Sequence, residues 1–186
     1  MTKYKVSVLV GSLRQKSVAK NVARAFLGVA PAHFECSFVE LGDLPLYNEE
    51  REVAPPAEWT RFRGEVRAAD ALFFVTPEYN RGIPGALKNA IDVGSRPWGQ
   101  GVWTGKPTAV VSQSYGALGG MAAHHQLRQC LFGVGAVAMS HPEAYISNAP
   151  SLFDEDGELL NDSTKEFART FMQAFDAWIT QLRCRP

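Results

Sequence analysis

The chain has 186 residues, enough for one domain with a core of its own. Its hydrophobic share is 46% and its charged share 20%, and Lys+Arg and Asp+Glu are both 19, so no net field argues for binding to nucleic acid or an anionic membrane. No apolar run approaches the ~20 residues of a membrane span. The three cysteines, Cys36, Cys130 and Cys184, are odd in number and far apart, which fits reduced thiols in a cytoplasmic protein rather than a disulfide framework or a metal site.

Met1-Thr2-Lys3-Tyr4 leads straight into a strand, leaving no room for a signal peptide. Residues 5–10 form a nearly continuous apolar run, as expected of a strand buried on both faces. Ser17 can cap a helix running to about Val29, with Val18, Val22, Ala25, Phe26 and Val29 on one stripe. Phe34–Leu41 alternates as a second strand. Residues 42–56 hold Pro45, Pro55 and Pro56 and read as a long loop. A helix over Ala57–Ala69 and a strand over Ala71–Val75 follow. Pro84 and Gly85 open a helix to about Val93, and residues 94–107 are a Gly-, Trp- and Pro-rich loop. Pro107–Ser112 is the fourth strand and Gly120–Phe132 the fourth helix. A fifth strand begins over Gly135–Met139. Thr164 to about Arg183 forms a terminal helix, with Phe167, Phe171, Ala174, Phe175 and Trp178 on one stripe. Strands alternating with helices predict a parallel, doubly wound α/β sheet.

Such sheets bind ligands beyond the carboxyl ends of their strands. Three loops of this sequence fall there. Gly11–Ser17 offers a tight turn, the hydroxyls of Ser12 and Ser17, the guanidinium of Arg14, and a helix start with unpaired N–H groups, a combination suited to phosphate. It is neither G-x-G-x-x-G nor a P-loop. Thr76–Gly85 offers a backbone fixed by Pro77. Asn80 and Gly82 can take positive φ, so the turn exposes successive N–H groups to a flat ring, while Tyr79 covers a ring face or lines the mouth. Ser112–Gly120 carries glycines at 116, 119 and 120 that permit close approach to a ligand. Phosphate joined to a flat heterocycle fits these loops together. His124 and His125 are adjacent on a helix and cannot face one point, so they read as structural or surface groups, and Asp154-Glu155-Asp156 lacks the full calcium-loop pattern. No metal site is expected. Trp59, Trp98 and Trp103 are of a type enriched at interfaces.

The segments GSLRQKS (11–17), TPEYNRGIPGALKNAID (76–92) and SQSYGALGG (112–120) resemble the NADPH-dependent FMN reductase family, in its quinone and chromate reductase branch. The resemblance runs through nearly the whole chain. It implies a single flavodoxin-like domain over residues 1–186, a three-layer sandwich with a five-stranded parallel sheet of order 2-1-3-4-5 and helices on both faces. It also implies noncovalent FMN. Ser12, Leu13, Arg14, Ser17, Val18 and Ala19 would form the phosphate end, Pro77, Glu78, Tyr79 and Asn80 would pass beside the isoalloxazine, and Ser114 and Gly116 would meet its far edge. Two positions depart from the family pattern: Ala19 stands where Asn is usual, and Met121-Ala122-Ala123 follows the double glycine where an arginine is often found. The implied activity is hydride transfer from NADPH or NADH through FMN to quinones, with chromate, azo and ferric compounds as further acceptors, in a cytoplasmic homodimer or tetramer. No catalytic side chain is required, because the flavin carries the chemistry and Tyr79 at most touches substrate. A flavodoxin-type electron carrier shares the fold and cofactor but lacks a substrate site. Such carriers are typically acidic, whereas this chain has a formal net charge of +0.

Overall fold

The computed structural model describes residues 2–183. The expectation for Cys184 therefore lies outside the described residues. The chain runs β1 (Tyr4–Val10), α1 (Val18–Leu27), β2 (Phe34–Phe38), α2 (Ala57–Ala68), β3 (Ala71–Pro77), α3 (Gly85–Gly94), β4 (Pro107–Gln113), α4 (Met121–Gly133), β5 (Val137–Ala138), β6 (Ala144–Ile146) and α5 (Asp162–Arg183). Every pairing is parallel, in the order β2-β1-β3-β4-β5, with β6 also on β4.

β1, β3 and β4 lie inside the sheet and are almost wholly buried, which explains their largely apolar sequences. Alternation divides their side chains between two cores. Val6, Val8, Val10, Phe73, Val75, Ala109 and Val111 pack against Ala19, Val22 and Phe26 of α1 and Phe171 and Phe175 of α5. Leu9, Leu72, Phe74 and Val110 pack against residues of α2, α3 and α4, including Trp59, Phe62, Leu87 and Leu127. The helices thus cover both faces, and the turns after β1, β3 and β4 emerge side by side on one edge.

The expected fifth strand is broken in two. Between the pairs Thr108–Ala138 and Val111–Ala144, β4 advances three residues and its neighbour six. Pro142 lies in the extra length and has no N–H to give to a ladder, so pairing lapses and resumes at Ala144. The second strand ends at Phe38 rather than Leu41, although the Val39 N–H still reaches the Val8 carbonyl at 3.0 Å. Residues 42–56 contain a 3-10 turn, Glu49–Val53, capped by Asn48. That segment is pinned to the body. Asn89 of α3 accepts from the Tyr47 N–H at 2.8 Å and donates to the Leu44 and Pro45 carbonyls, while Arg63 pairs with Glu52 at 2.6 Å.

This folding corrects the reading of the tryptophans as surface anchors. Trp59 and Trp103 are both 0% exposed, and their indole N–H groups donate to the carbonyls of Pro45 and Ile91. Only Trp98, 86% exposed, remains on the surface.

Candidate functional site

The first loop turns sharply because Gly11 presses against the second. A Cβ there would stand 3.2 Å from Leu87 and 3.3 Å from both Pro77 and Pro84, and the Gly11 N–H bonds to the Val75 carbonyl at 2.9 Å. Ser17 caps α1, its Oγ accepting from the Lys20 N–H at 3.1 Å, and the Ser12 Oγ accepts from the Arg14 N–H at 3.4 Å. Each hydroxyl thus serves the backbone as acceptor and keeps its own proton to donate outward. Among the described residues, the N–H groups of Leu13, Gln15, Lys16, Ser17, Val18 and Ala19 have no intramolecular acceptor. Unpaired donors at the start of a ten-residue helix, in the loop that carries Arg14, are the kind of arrangement that can hold an anion.

In the second loop, Tyr79 and Gly82 exchange both backbone hydrogen bonds at 2.9 Å, so Asn80 and Arg81 form the tip of a two-residue hairpin. Their φ values are 51° and 66°. The positive-φ residues are therefore Asn80 and Arg81, and the expectation for Gly82 is corrected. Gly82 instead leaves room for the Gln126 side chain: a Cβ there would lie 2.7 Å from its Oε1, which would have to shift. The Asn80 and Arg81 N–H groups have no protein acceptor, so the turn does present successive donors. The Glu78 side chain turns away to α4, where its Oε2 accepts from the N–H groups of Ala122 at 3.0 Å and Ala123 at 3.2 Å. Gln126 of the same helix accepts from the Ile83 N–H at 2.6 Å. The hairpin is thus fastened to α4 at both ends.

The third loop is held by the chain after β6. Ser114 donates its N–H to the Ile146 carbonyl at 3.1 Å and accepts from the Ala149 N–H at 3.0 Å, and the Gly116 carbonyl accepts from Asn148 at 3.1 Å. Gly119 and Gly120, at φ 58° and 77°, approach protein rather than empty space: a Cβ on Gly119 would be 2.6 Å from the Tyr145 carbonyl carbon, and one on Gly120 would be 2.9 Å from the Gln113 carbonyl oxygen. Of the three glycines, only Gly116 faces open space.

Ser12, Leu13, Arg14, Ser17, Val18 and Ala19 thus stand at the end of β1, Pro77–Asn80 at the end of β3, and Ser114 and Gly116 at the end of β4. One contact spans the set. The Arg14 Nη1 donates to the Tyr115 hydroxyl at 3.1 Å, joining the first loop to the third across the end of β3. The sequence reading missed Tyr115. An aromatic between two ring-binding candidates was its only signal.

His124 is buried with its ring edge-on to Tyr145, centroids 4.7 Å apart, and neither ring nitrogen has a partner. Burial, with Arg128 next in weight, brings its pKa down to about 4. His125 reaches the Tyr145 hydroxyl at 3.4 Å, so both rings meet Tyr145, their centroids 5.9 Å apart, and the expectation that they cannot face one point is corrected. Burial pushes the Cys36 thiol up to about 11, which makes it a poor nucleophile. The Asp154 Oδ1 accepts from the N–H groups of Asp156 and Glu158, closing an acidic turn. Among the described residues, no cluster of three His, Cys, Asp or Glu could hold a metal.

Residues 4–151 match the model of the NADPH-dependent FMN reductase family. The chain belongs to that family. As an FMN reductase family member it is an NAD(P)H-dependent flavoprotein oxidoreductase with a flavodoxin-like fold, as its motifs imply. It is 55% identical to the quinone reductase of Pseudomonas putida over 177 residues, 95% of each chain. It is 42% identical to the 2-hydroxy-1,4-benzoquinone reductase of a Burkholderia species, over 96% of this chain and 98% of that one. Among solved structures, FerB, a flavoenzyme NAD(P)H:(acceptor) oxidoreductase of Paracoccus denitrificans, superposes with a TM-score of 0.90 at 38% identity, covering 96% and 98% of the two chains. A flavodoxin variant of Pseudomonas aeruginosa shares the fold at a TM-score of 0.58 and 19% identity.

Proposed function

We propose that the protein is an FMN-dependent NAD(P)H:quinone oxidoreductase working by a ping-pong cycle. The observation that carries the reading is the anion cradle at 12–19, set beside two outward-facing N–H groups at Asn80 and Arg81 in a chain 55% identical to a quinone reductase. FMN binds noncovalently. Its phosphate takes the hydroxyls of Ser12 and Ser17, the Arg14 guanidinium and the N–H groups of Leu13, Val18 and Ala19. The ring lies along Pro77, Glu78, Tyr79 and Asn80, where Glu78 contributes backbone only, and its far edge meets Ser114 and Gly116.

When bound, FMN supplies two-electron hydride chemistry, accepting from NADPH or NADH and giving to a quinone. The protein's part is to hold and orient the ring and to stabilise negative charge along its edge, for which the unpaired N–H groups of the hairpin tip serve. Half-exposed Tyr79 lines the mouth where acceptors approach. Chromate, azo and ferric acceptors follow from the same accessible ring. No helix among the described residues is long and apolar enough to cross a membrane. The reading places the enzyme in the cytoplasm, as one domain per chain, in a homodimer or tetramer, with no nucleic-acid partner.

The test is spectroscopic and then kinetic. Purified protein should carry an oxidised-flavin spectrum that NADPH bleaches and benzoquinone restores. Initial rates against NADPH at several quinone concentrations should give parallel double-reciprocal lines, with excess quinone competing against NADPH. Intersecting lines with a ternary complex would show two separate substrate places.

A further inference from the structure

Arg14 and Tyr115 are 101 residues apart in sequence, yet the Arg14 Nη1 donates to the Tyr115 hydroxyl at 3.1 Å. β3 lies between β1 and β4 in the sheet, so the arm joining the first loop to the third crosses the carboxyl end of β3. Both side chains are exposed, Tyr115 by 63%, and a solute reaches them without any part of the chain moving. Among the described residues this is the only hydrogen bond of either side chain, and no carboxylate pairs with Arg14. The contact runs through Nη1 and leaves the Nε–Nη2 edge unpaired, a two-donor edge that matches phosphate. The Arg14 charge is thus uncompensated, while the arm that carries it is held at its tip by a neutral acceptor.

An arginine arm held by nothing samples many rotamers, and ordering it subtracts from whatever it binds. An acceptor at its tip removes part of that loss in advance. The kind of acceptor matters. A carboxylate there would compete with an anion for the guanidinium, whereas a phenol orients the group and leaves its charge available. The direction matters as well. In the FMN reading above, the cofactor runs from the first loop to the third past the end of β3, and the Arg14 arm joins the same two loops across the same strand end. Resting on that reading, we propose that Tyr115 is a positioning residue whose hydroxyl holds the Arg14 guanidinium in place for the FMN phosphate. It then favours FMN over riboflavin, and it does so only through Arg14.

The experiment is a double-mutant cycle on stripped protein. Wild type, Tyr115→Phe, Arg14→Ala and the two changes combined are each titrated with FMN and with riboflavin, followed by flavin fluorescence. Tyr115→Phe keeps the exposed ring and loses only the hydroxyl. It should bind FMN about fivefold more weakly, within the range of one hydrogen bond, and riboflavin as wild type does. In the Arg14→Ala background the same change should weaken FMN no further. Unchanged FMN affinity of Tyr115→Phe would overturn the proposal. So would an equal loss for riboflavin, which would give the hydroxyl a part in holding the ring or the loop instead. A loss for FMN that persists without Arg14 would overturn it too, by making Tyr115 a direct ligand. Wild type that bound riboflavin as tightly as FMN would refute the phosphate reading, and wild type that bound neither would refute the flavin reading; each is a separate failure, visible before any variant is compared.

Discussion

Arg14 illustrates how far a single residue could be read. The sequence placed a guanidinium beside a helix start, and the structure supplies its neighbours: unpaired N–H groups on one side and the Tyr115 hydroxyl on the other. Arg14→Ala should weaken FMN by about 1.5–3 kcal/mol, the scale of a charge-assisted hydrogen bond, and riboflavin much less. Fluorescence titrations with equal losses for both flavins would remove the phosphate assignment. Glu78 shows the reverse case. Its backbone position was legible, but not the direction of its carboxylate, because the start of α4 is 44 residues away in sequence and only the fold brings it near. His124 had no legible role. It is neutral when folded, with a pKa near 4 against about 6.5 when unfolded, so the unfolded chain binds a proton that the folded one refuses. Stability is therefore lost as pH falls from about 6.5 toward 4, on the order of 3 kcal/mol over the window, and no further loss comes from this group below both values. Urea midpoints of wild type and His124→Leu at pH 7 and pH 4.5 test this: the wild-type midpoint should fall more steeply, and parallel falls would contradict it.

Elements were legible where one force decided them. The buried strands announced themselves by apolar runs, and α1 by its Ser17 cap and apolar stripe. Elements decided by distant contacts were not. β5 and β6 follow from how far β4 can be paired, and the Glu49–Val53 turn from Asn89 and Arg63 anchoring it. The third loop belongs to the same class, since its glycines serve β4 and β6 more than any ligand. Gly119→Ala should cost well over 1 kcal/mol, because a Cβ would meet backbone at 2.6 Å at a residue with φ of 58°. Gly116→Ala, with nothing within 4 Å, should leave the thermal midpoint nearly unchanged. Equal melting of the two variants would show that the third loop is not braced as described.

At the scale of the molecule, strand order and the placing of three loops on one edge followed from alternation and family resemblance together. The burial of Trp59 and Trp103 did not, since composition marks a tryptophan as an anchor without saying whether the surface it grips belongs to a partner or to its own chain. Exposed apolar side chains on the loops after β1, β3 and β4 and at the start of α4 are Leu13, Tyr79, Tyr115, Leu118 and Met121, and others, Phe38, Leu46, Val53, Trp98, Phe132 and Leu160, lie elsewhere. They motivate the proposed assembly. Light scattering at micromolar concentration should give two or four times the 20.4 kDa of one chain, and a fully active monomer would end the idea.

The fastening of the Tyr79–Gly82 hairpin to α4 bears on how the cofactor arrives. Glu78 and Gln126 tie down both ends of the turn without help from any ligand. Loading then covers a surface already built and leaves no segment to fold around the ring. A calorimetric titration would register this as a modest negative heat-capacity change, the signature of a docked ring rather than of coupled folding.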